Sequence, residues 1–182
     1  MGKEAKTNAM RMLEKKKIPY EAVTYECDEF IDGLPSAAMT GAPVDASFKT
    51  LVMQGKSRQY YVFVMPIALE VDKQGIMVFC IPVTMELDLK KAAKAVHEKS
   101  IEMLPLKDLT DLTGYVRGGC SPLGMKKQFP TVIHESAKEF DQIYVSGGRI
   151  GLSLKISPLQ LAEVTGAKFE DIRLEGSGAE TE

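Results

Sequence analysis

The sequence is poor in the residues on which most hydrolytic enzymes depend. It holds two histidines, His97 and His134, and neither falls in an HExxH or a Cys/His metal-binding spacing. There is no GxSxG nucleophile elbow. The three cysteines, Cys27, Cys80 and Cys120, cannot all pair within one chain and make no CxxC, which fits free thiols in a reducing compartment. His97 ends a lysine-rich helical stretch, and His134 closes a short strand before an acidic turn. No paired carboxylates stand out. No metal or other cofactor is implied. Any hydrolysis must rest on positioning, backbone donors and the substrate itself.

Charge of one sign is also lacking. The chain carries 23 basic and 25 acidic side chains, so it lacks the strongly basic footprint of a protein that binds nucleic acid through charge alone. Three of the acids lie in the tail Glu175–Glu182, and the body is nearly neutral. An RNA substrate would be held locally or with a partner's help. DNA is not an expected partner. The longest apolar runs fall far short of the roughly 20 residues that span a bilayer. The N-terminus, MGKEAKTNAMRMLEKKK, is a charged helical pattern without a signal-peptide core. A cytoplasmic protein is expected, with one domain over 1–173 and a disordered acidic tail over 174–182.

Local patterns give the elements. Lys6–Lys16 reads as a helix with Thr7 as N-cap, stopped by Pro19. Tyr20–Tyr25 reads as a strand and Leu34–Met39 as a short helix. FKTLVMQ, a GKSR turn and QYYVFVMPIAL form a hairpin, and a DKQG break leads to IMVFCIPV; together they suggest an antiparallel meander. Asp88 caps a helix carrying Leu89, Ala92, Ala93 and Val96 on one face. Ser100–Met103 is a strand, and Pro105–Leu112 a helix ended by Gly114. Thr131–His134 and Gln142–Val145 are strands, and LSLKI another. Ser157-Pro158 opens a helix that Gly166 closes. Strands with helices between and around them predict an α+β domain.

Three segments invite a chemical reading. Gly118-Gly119-Cys120-Ser121-Pro122-Leu123-Gly124 packs three glycines around a proline. Such a loop lets a ligand approach the backbone and can turn its N–H groups on an anion or oxyanion. A structural Ω-loop explains the same pattern. Cys120 within it lacks a visible base and reads better as a buried thiol than as a nucleophile. Ser146-Gly147-Gly148-Arg149-Ile150-Gly151 is a second glycine loop, but its spacing is not GxGxxG and a bulged hairpin accounts for it equally. Lys49 stands in an apolar strand, either as an outward-facing surface lysine or as a cation lining a pocket.

In this order, these segments resemble the YbaK family of aminoacyl-tRNA deacylases, related to the editing domain inserted in bacterial prolyl-tRNA synthetases. The resemblance is carried by Phe48–Val52, Glu86–Val96, Thr113–Ile133 and Ile143–Leu152, and spans about Ala9 to Asp171. Its most specific element is a glycine, three residues and a proline, here Gly118 to Pro122. The resemblance implies a mixed, β-barrel-like sheet surrounded by helices. It implies that the substrate is the 3′ end of a mischarged aminoacyl-tRNA. The near-neutral body suits a trans-acting editor that borrows tRNA affinity from a synthetase, with prolyl-tRNA synthetase as the candidate partner. The family's lysine maps on Lys49, beside Thr50. Its pocket aromatics map on Tyr25 and Phe30, and its loops on Gly118, Gly119, Cys120, Ser121, Pro122, Gly124, Ser146 and Gly147. Cys-specific members carry an aspartate where this chain has Ser153. The mechanism implied for those members is attack of the substrate's own sulfur on its ester. The leading reading is a trans-editing deacylase that removes cysteine from tRNA(Pro), with tRNA(Cys) as a further substrate; the alternatives are an Ala- or Ser-specific deacylase, or a non-catalytic tRNA- or synthetase-binding module. A generic nucleotide-binding protein ranks last, for want of a phosphate motif.

Overall fold

The computed structural model describes residues 5–24, 46–66, 70–71, 77–78 and 87–174. The first element is α1 (Asn8–Lys15), and Thr7 caps it by accepting from Met10 N at 3.3 Å. Ala9 and Leu13 are fully buried on its inner face. The helix ends in a Schellman turn: Ile18 N donates to Leu13 O at 2.9 Å and Lys17 N to Glu14 O at 3.1 Å. Lys17 thereby takes φ 58°, a left-handed backbone that costs a non-glycine residue about 1 kcal/mol.

Strand β1 (Glu21–Thr24) follows. The hairpin of β2 (Phe48–Gly55) and β3 (Tyr60–Pro66) pairs Phe48 with Pro66 through Gln54 with Tyr60. Its turn is closed by Gly55 N to Gln59 O at 2.8 Å and Arg58 N to Gly55 O at 2.9 Å, as the GKSR break predicts. A small antiparallel hairpin joins β4 (Glu70–Val71) to β5 (Met77–Val78). Then come α2 (Leu89–Ala95), capped by Asp88, β6 (Ile101–Met103) and α3 (Leu106–Thr113), ended by Gly114 at φ 85°. After the irregular stretch that the glycines and prolines predict lie β7 (Thr131–His134), β8 (Ile143–Ser146) and β9 (Leu152–Ile156). Ser157 caps α4 (Pro158–Thr165), which Gly166 closes, and β10 (Lys168–Glu170) is last.

The architecture is α+β, with two main sheets. One runs β1-β9-β8, all antiparallel; the other runs β10-β7-β3-β2-β6 and is mixed. A parallel bridge between Ser47 and Tyr144 joins them. The described strands therefore curl from one sheet into the next without closing a barrel. The expected meander is present as two separate antiparallel pairs, β2–β3 and, across the DKQG break, β4–β5; they do not form one sheet, because β3 takes β7 as its other neighbour, in parallel. β10, which the sequence reading assigns to no element, pairs in parallel with the far edge of β7. The predicted helix over Leu34–Met39 and the tail over 175–182 lie outside the described residues.

Three apolar clusters hold these layers. Phe48, Val64, Leu123, Ile133, Val145, Leu154 and Leu161 meet α1 between the sheets. Leu51, Met53, Phe63 and Met65 pack under α2 through Ala92 and Ala93. Val52, Val62, Tyr115, Cys120, Met125 and Phe129 form the third, beneath the glycine loop. Each fully buried side chain of this size contributes about 1.5–3 kcal/mol relative to exposure.

Candidate active site

Register places the predicted residues. Ser47 bridges Tyr144 in parallel, so two residues further along both strands Lys49 comes level with Ser146. Ser146 is paired with Ser153, and Ser153 with Val23. Side chains alternate across a strand, so Lys49, Ser146, Ser153 and Val23 form one row on a single sheet face. All four are half-buried, while Phe48, Val145, Leu152 and Leu154 on the opposite face are buried. The adjacent row confirms the orientation: Lys155 Nζ lies 5.9 Å from the centre of the Tyr144 ring and 4.0 Å from Glu21.

The two glycine loops meet beside this row. A Cβ on Gly119 would lie 2.8 Å from Arg149 Cα and 2.9 Å from its carbonyl carbon, so glycine alone permits the contact. Gly118 turns at φ 83° and Gly148 at φ 102°, where Gly148 closes on the Tyr115 ring. Gly124, at φ 72°, lies against the backbone of Asn8 and Ala9. Arg149 donates to Ala5 O at 2.9 Å. The N-terminus of α1 therefore braces both loops, a role no local sequence signal announces.

Hydrogen bonds lock the first loop. Tyr115 donates its hydroxyl to Leu123 O at 2.6 Å, and Thr113 Oγ1 accepts from Tyr115 N at 3.1 Å. Ser121 is fully buried, and its Oγ accepts from Leu123 N at 3.2 Å. Pro122 is buried as well. In the second loop Ser146 Oγ accepts from Gly148 N at 3.4 Å, and buried Gly147 donates to Leu152 O at 2.8 Å. Tyr115 and Thr113 are the residues the sequence reading missed; the helix stop at Gly114 gives no hint of their bonds.

Thr50 stands on the other face of β2, between Phe48, which clusters with Leu123, and Val52, which clusters with Cys120. Among the described residues, its Oγ1 is buried without a hydrogen-bond partner. An orphaned buried hydroxyl costs about 1–3 kcal/mol.

The chain belongs to the aminoacyl-tRNA editing domain family. The family model, described as an aminoacyl-tRNA editing domain, matches residues 67–164. Among its relatives is EbsC of Enterococcus faecalis, provisionally named a Cys-tRNA(Pro)/Cys-tRNA(Cys) deacylase. The two are 41% identical over 170 residues, which cover 93% of this chain and 94% of the relative. A crystal structure provisionally described as a trans-editing enzyme for prolyl-tRNA synthetase superposes with a TM-score of 0.73 at 22% identity, over 92% of this chain and 95% of that one. Another, of a hypothetical protein, gives a TM-score of 0.76 at 18% identity, over 92% and 100%. At those identities the two structures establish the fold.

Within the editing domain, Tyr25 and Phe30 lie outside the described residues, as do Cys27 and Cys80. A cleft of about 420 Å³ opens at the far end of β2, lined by Gly55, Lys56, Arg58 and Glu102 among others, and no predicted site residue lines it. Among the described residues, no helix is long and apolar enough to cross a membrane, and no His, Cys, Asp or Glu group could hold a metal ion. His134 is buried, its Nδ1 engaged by Ser136 Oγ at 2.8 Å and its Nε2 3.6 Å from Asp171.

The structure assigns Cys120 to the core. Burial, only partly offset by Thr113, pushes its thiol up to about 12, so almost no thiolate exists near neutrality. Cys120→Ala should therefore keep deacylation within about twofold of wild type while lowering stability by about 1–2 kcal/mol through the lost contacts. Single-turnover kinetics and a denaturant melt check both; a hundredfold loss of rate in a folded variant would return Cys120 to the chemistry.

Proposed function

We propose that this editing domain hydrolyses the ester of a mischarged aminoacyl-tRNA, with cysteine on tRNA(Pro) as its substrate. The observation that carries the reading is the row Lys49, Ser146 and Ser153 beside two glycine loops in contact at Gly119 and Arg149. A relative of near full-length match, provisionally named for this activity, supports it.

The chemistry is assisted by the substrate. A free cysteine thiol titrates at about 8.5, so a useful fraction is thiolate near neutrality. Its sulfur attacks the ester carbonyl carbon, a C–S bond forms, the C–O bond breaks, and the thiol proton passes to the departing ribose oxygen. The product is a cyclic thiolactone that water opens to cysteine. Holding sulfur against the carbonyl supplies effective molarity. Backbone N–H groups of the turn from Gly118 to Ser121 stabilise the oxyanion, apart from that of Gly119, which donates to Val116 O at 3.0 Å and holds the turn in shape; Lys49 supplies positive charge to the developing anion or the terminal phosphate. Thr50, on the face of β2 opposite Lys49, sits beneath the glycine loop and makes no contact with the aminoacyl end in this reading. Cys120, Ser121, Pro122, Gly124 and Gly147 shape the loops, while Ser146 and Ser153 line the pocket. Prolyl-tRNA synthetase is the partner this reading implies, since a body so nearly neutral gains tRNA affinity from a synthetase.

The test is amino-acid release from Cys-, Ser- and Ala-tRNA(Pro). Cysteine is expected to leave at least about 100-fold faster than the other two, which lack an acidic side-chain nucleophile. Equal release from all three would replace this reading with a general deacylase.

A further inference from the structure

A chain with net charge -2 nevertheless gathers exposed cations on the helix that braces the two glycine loops. Arg11, Lys15, Lys16 and Lys17 are exposed on α1 and its end, and Lys126 and Lys127 on the glycine loop. The two groups are neighbours, because Gly124 lies on Asn8 and Ala9 and its N–H meets Met12 Sδ at 3.2 Å. The one described acid of α1, Glu14, is taken by Lys6 at 2.8 Å and Tyr20 at 3.0 Å. Lys15, Lys16, Lys17 and Lys127 form no ion pair among the described residues.

Helix-end electrostatics explain part of this pattern. A basic last turn suits the negative end of a helix dipole, and Lys15 serves that purpose. It does not explain Lys17, which occupies the left-handed C′ position where glycine is the usual residue. Nor does it explain Lys127, which lies on a loop.

We propose that Arg11, Lys15, Lys16, Lys17 and Lys127 hold the phosphate backbone of the tRNA acceptor helix. The ester sits at the end of an RNA strand, so the phosphates next inward must pass over the surroundings of the site. α1 spans about 12 Å and abuts both glycine loops through its N-terminal half, so its cations lead away from the loops along the Phe48 side of the sheets, a path open to the phosphates that follow the ester. The choice of tRNA as the RNA rests on the editing function proposed above.

The test is binding of uncharged tRNA(Pro) to the full chain between 50 and 200 mM salt, on the order of the range over which phosphate contacts declare themselves. Replacing Lys15, Lys16 and Lys17 together by glutamine should weaken binding about tenfold or more. It should also flatten the log–log salt slope by about two to three units. Lys17→Gly relaxes the backbone and so stays folded, and it should lose about one unit of slope. Unchanged affinity and slope in both variants would overturn the proposal. Uncharged tRNA has no ester, so this result is independent of deacylation. Normal cysteine release by wild type with unaltered tRNA binding by the variants sinks this surface and leaves the editing reading. Lost tRNA binding in the variants, with no amino-acid release by wild type, does the reverse.

Discussion

Lys49→Ala is expected to slow cysteine release about 100-fold or more while leaving the domain folded. The lysine is half-buried on β2 opposite Met65, and the ladder there is held by backbone bonds that run from Phe48 to Gln54. Truncation therefore removes a charge and a flexible stem without opening a cavity in the core. The stability change should stay within about 1 kcal/mol. Lys49→Arg keeps the charge but changes its shape and reach, so it should restore part of the rate. Single-turnover release under saturating protein separates this from weakened binding. A Lys49→Ala protein as fast as wild type would make the residue the outward-facing surface lysine that the sequence equally allows.

Gly119→Ala should be nearly as damaging for a different reason. The added Cβ would meet Arg149 Cα at 2.8 Å, and that neighbour is backbone, so no rotamer change relieves it. One loop has to move. Overpacking of this kind costs about 1–3 kcal/mol, and it would displace the turn whose N–H groups are proposed to hold the oxyanion. A loss of about 100-fold in rate is expected, with the melting transition lowered but still cooperative. Gly166→Ala is the control. Its φ is positive, 70°, but nothing lies within 4 Å of its Cβ position. It should cost about 1 kcal/mol of stability and leave the rate alone. Equal activity losses in both variants would mean that the rate simply follows stability.

The contrast between these two glycines also marks what a sequence can reveal. Gly166 ends a helix, a local event, and its place was legible beside Ser157 and Pro158 at the other end. So were the caps at Thr7 and Asp88 and the turn at Gly55 to Arg58, because each depends on residues within a few positions. Gly119 was legible as unusual, but its purpose depends on Arg149, thirty residues away. The same holds for β10: Lys168–Glu170 has too few residues to show alternation and exists as a strand because β7 offers an edge. The parallel pairing of β3 with β7 likewise joins segments about seventy residues apart. The candidate site was legible as separate pieces, Lys49 and two loops, through their resemblance to a family. Its assembly required the Ser47–Tyr144 bridge and the bracing by α1, neither of which any local pattern encodes.

The central claim is that the substrate supplies the nucleophile and the protein supplies position and charge. It is tested most directly by comparing release of cysteine and of S-methylcysteine from the same tRNA(Pro). Methylation keeps the size and attachment of the side chain close to that of cysteine but removes the ionisable thiol. The account predicts rapid release of cysteine, and release of S-methylcysteine slower by about three orders of magnitude, approaching the uncatalysed rate, as expected when an oriented intramolecular nucleophile is lost. Comparable release of the two would contradict it and would require a water molecule or a protein group to attack the ester.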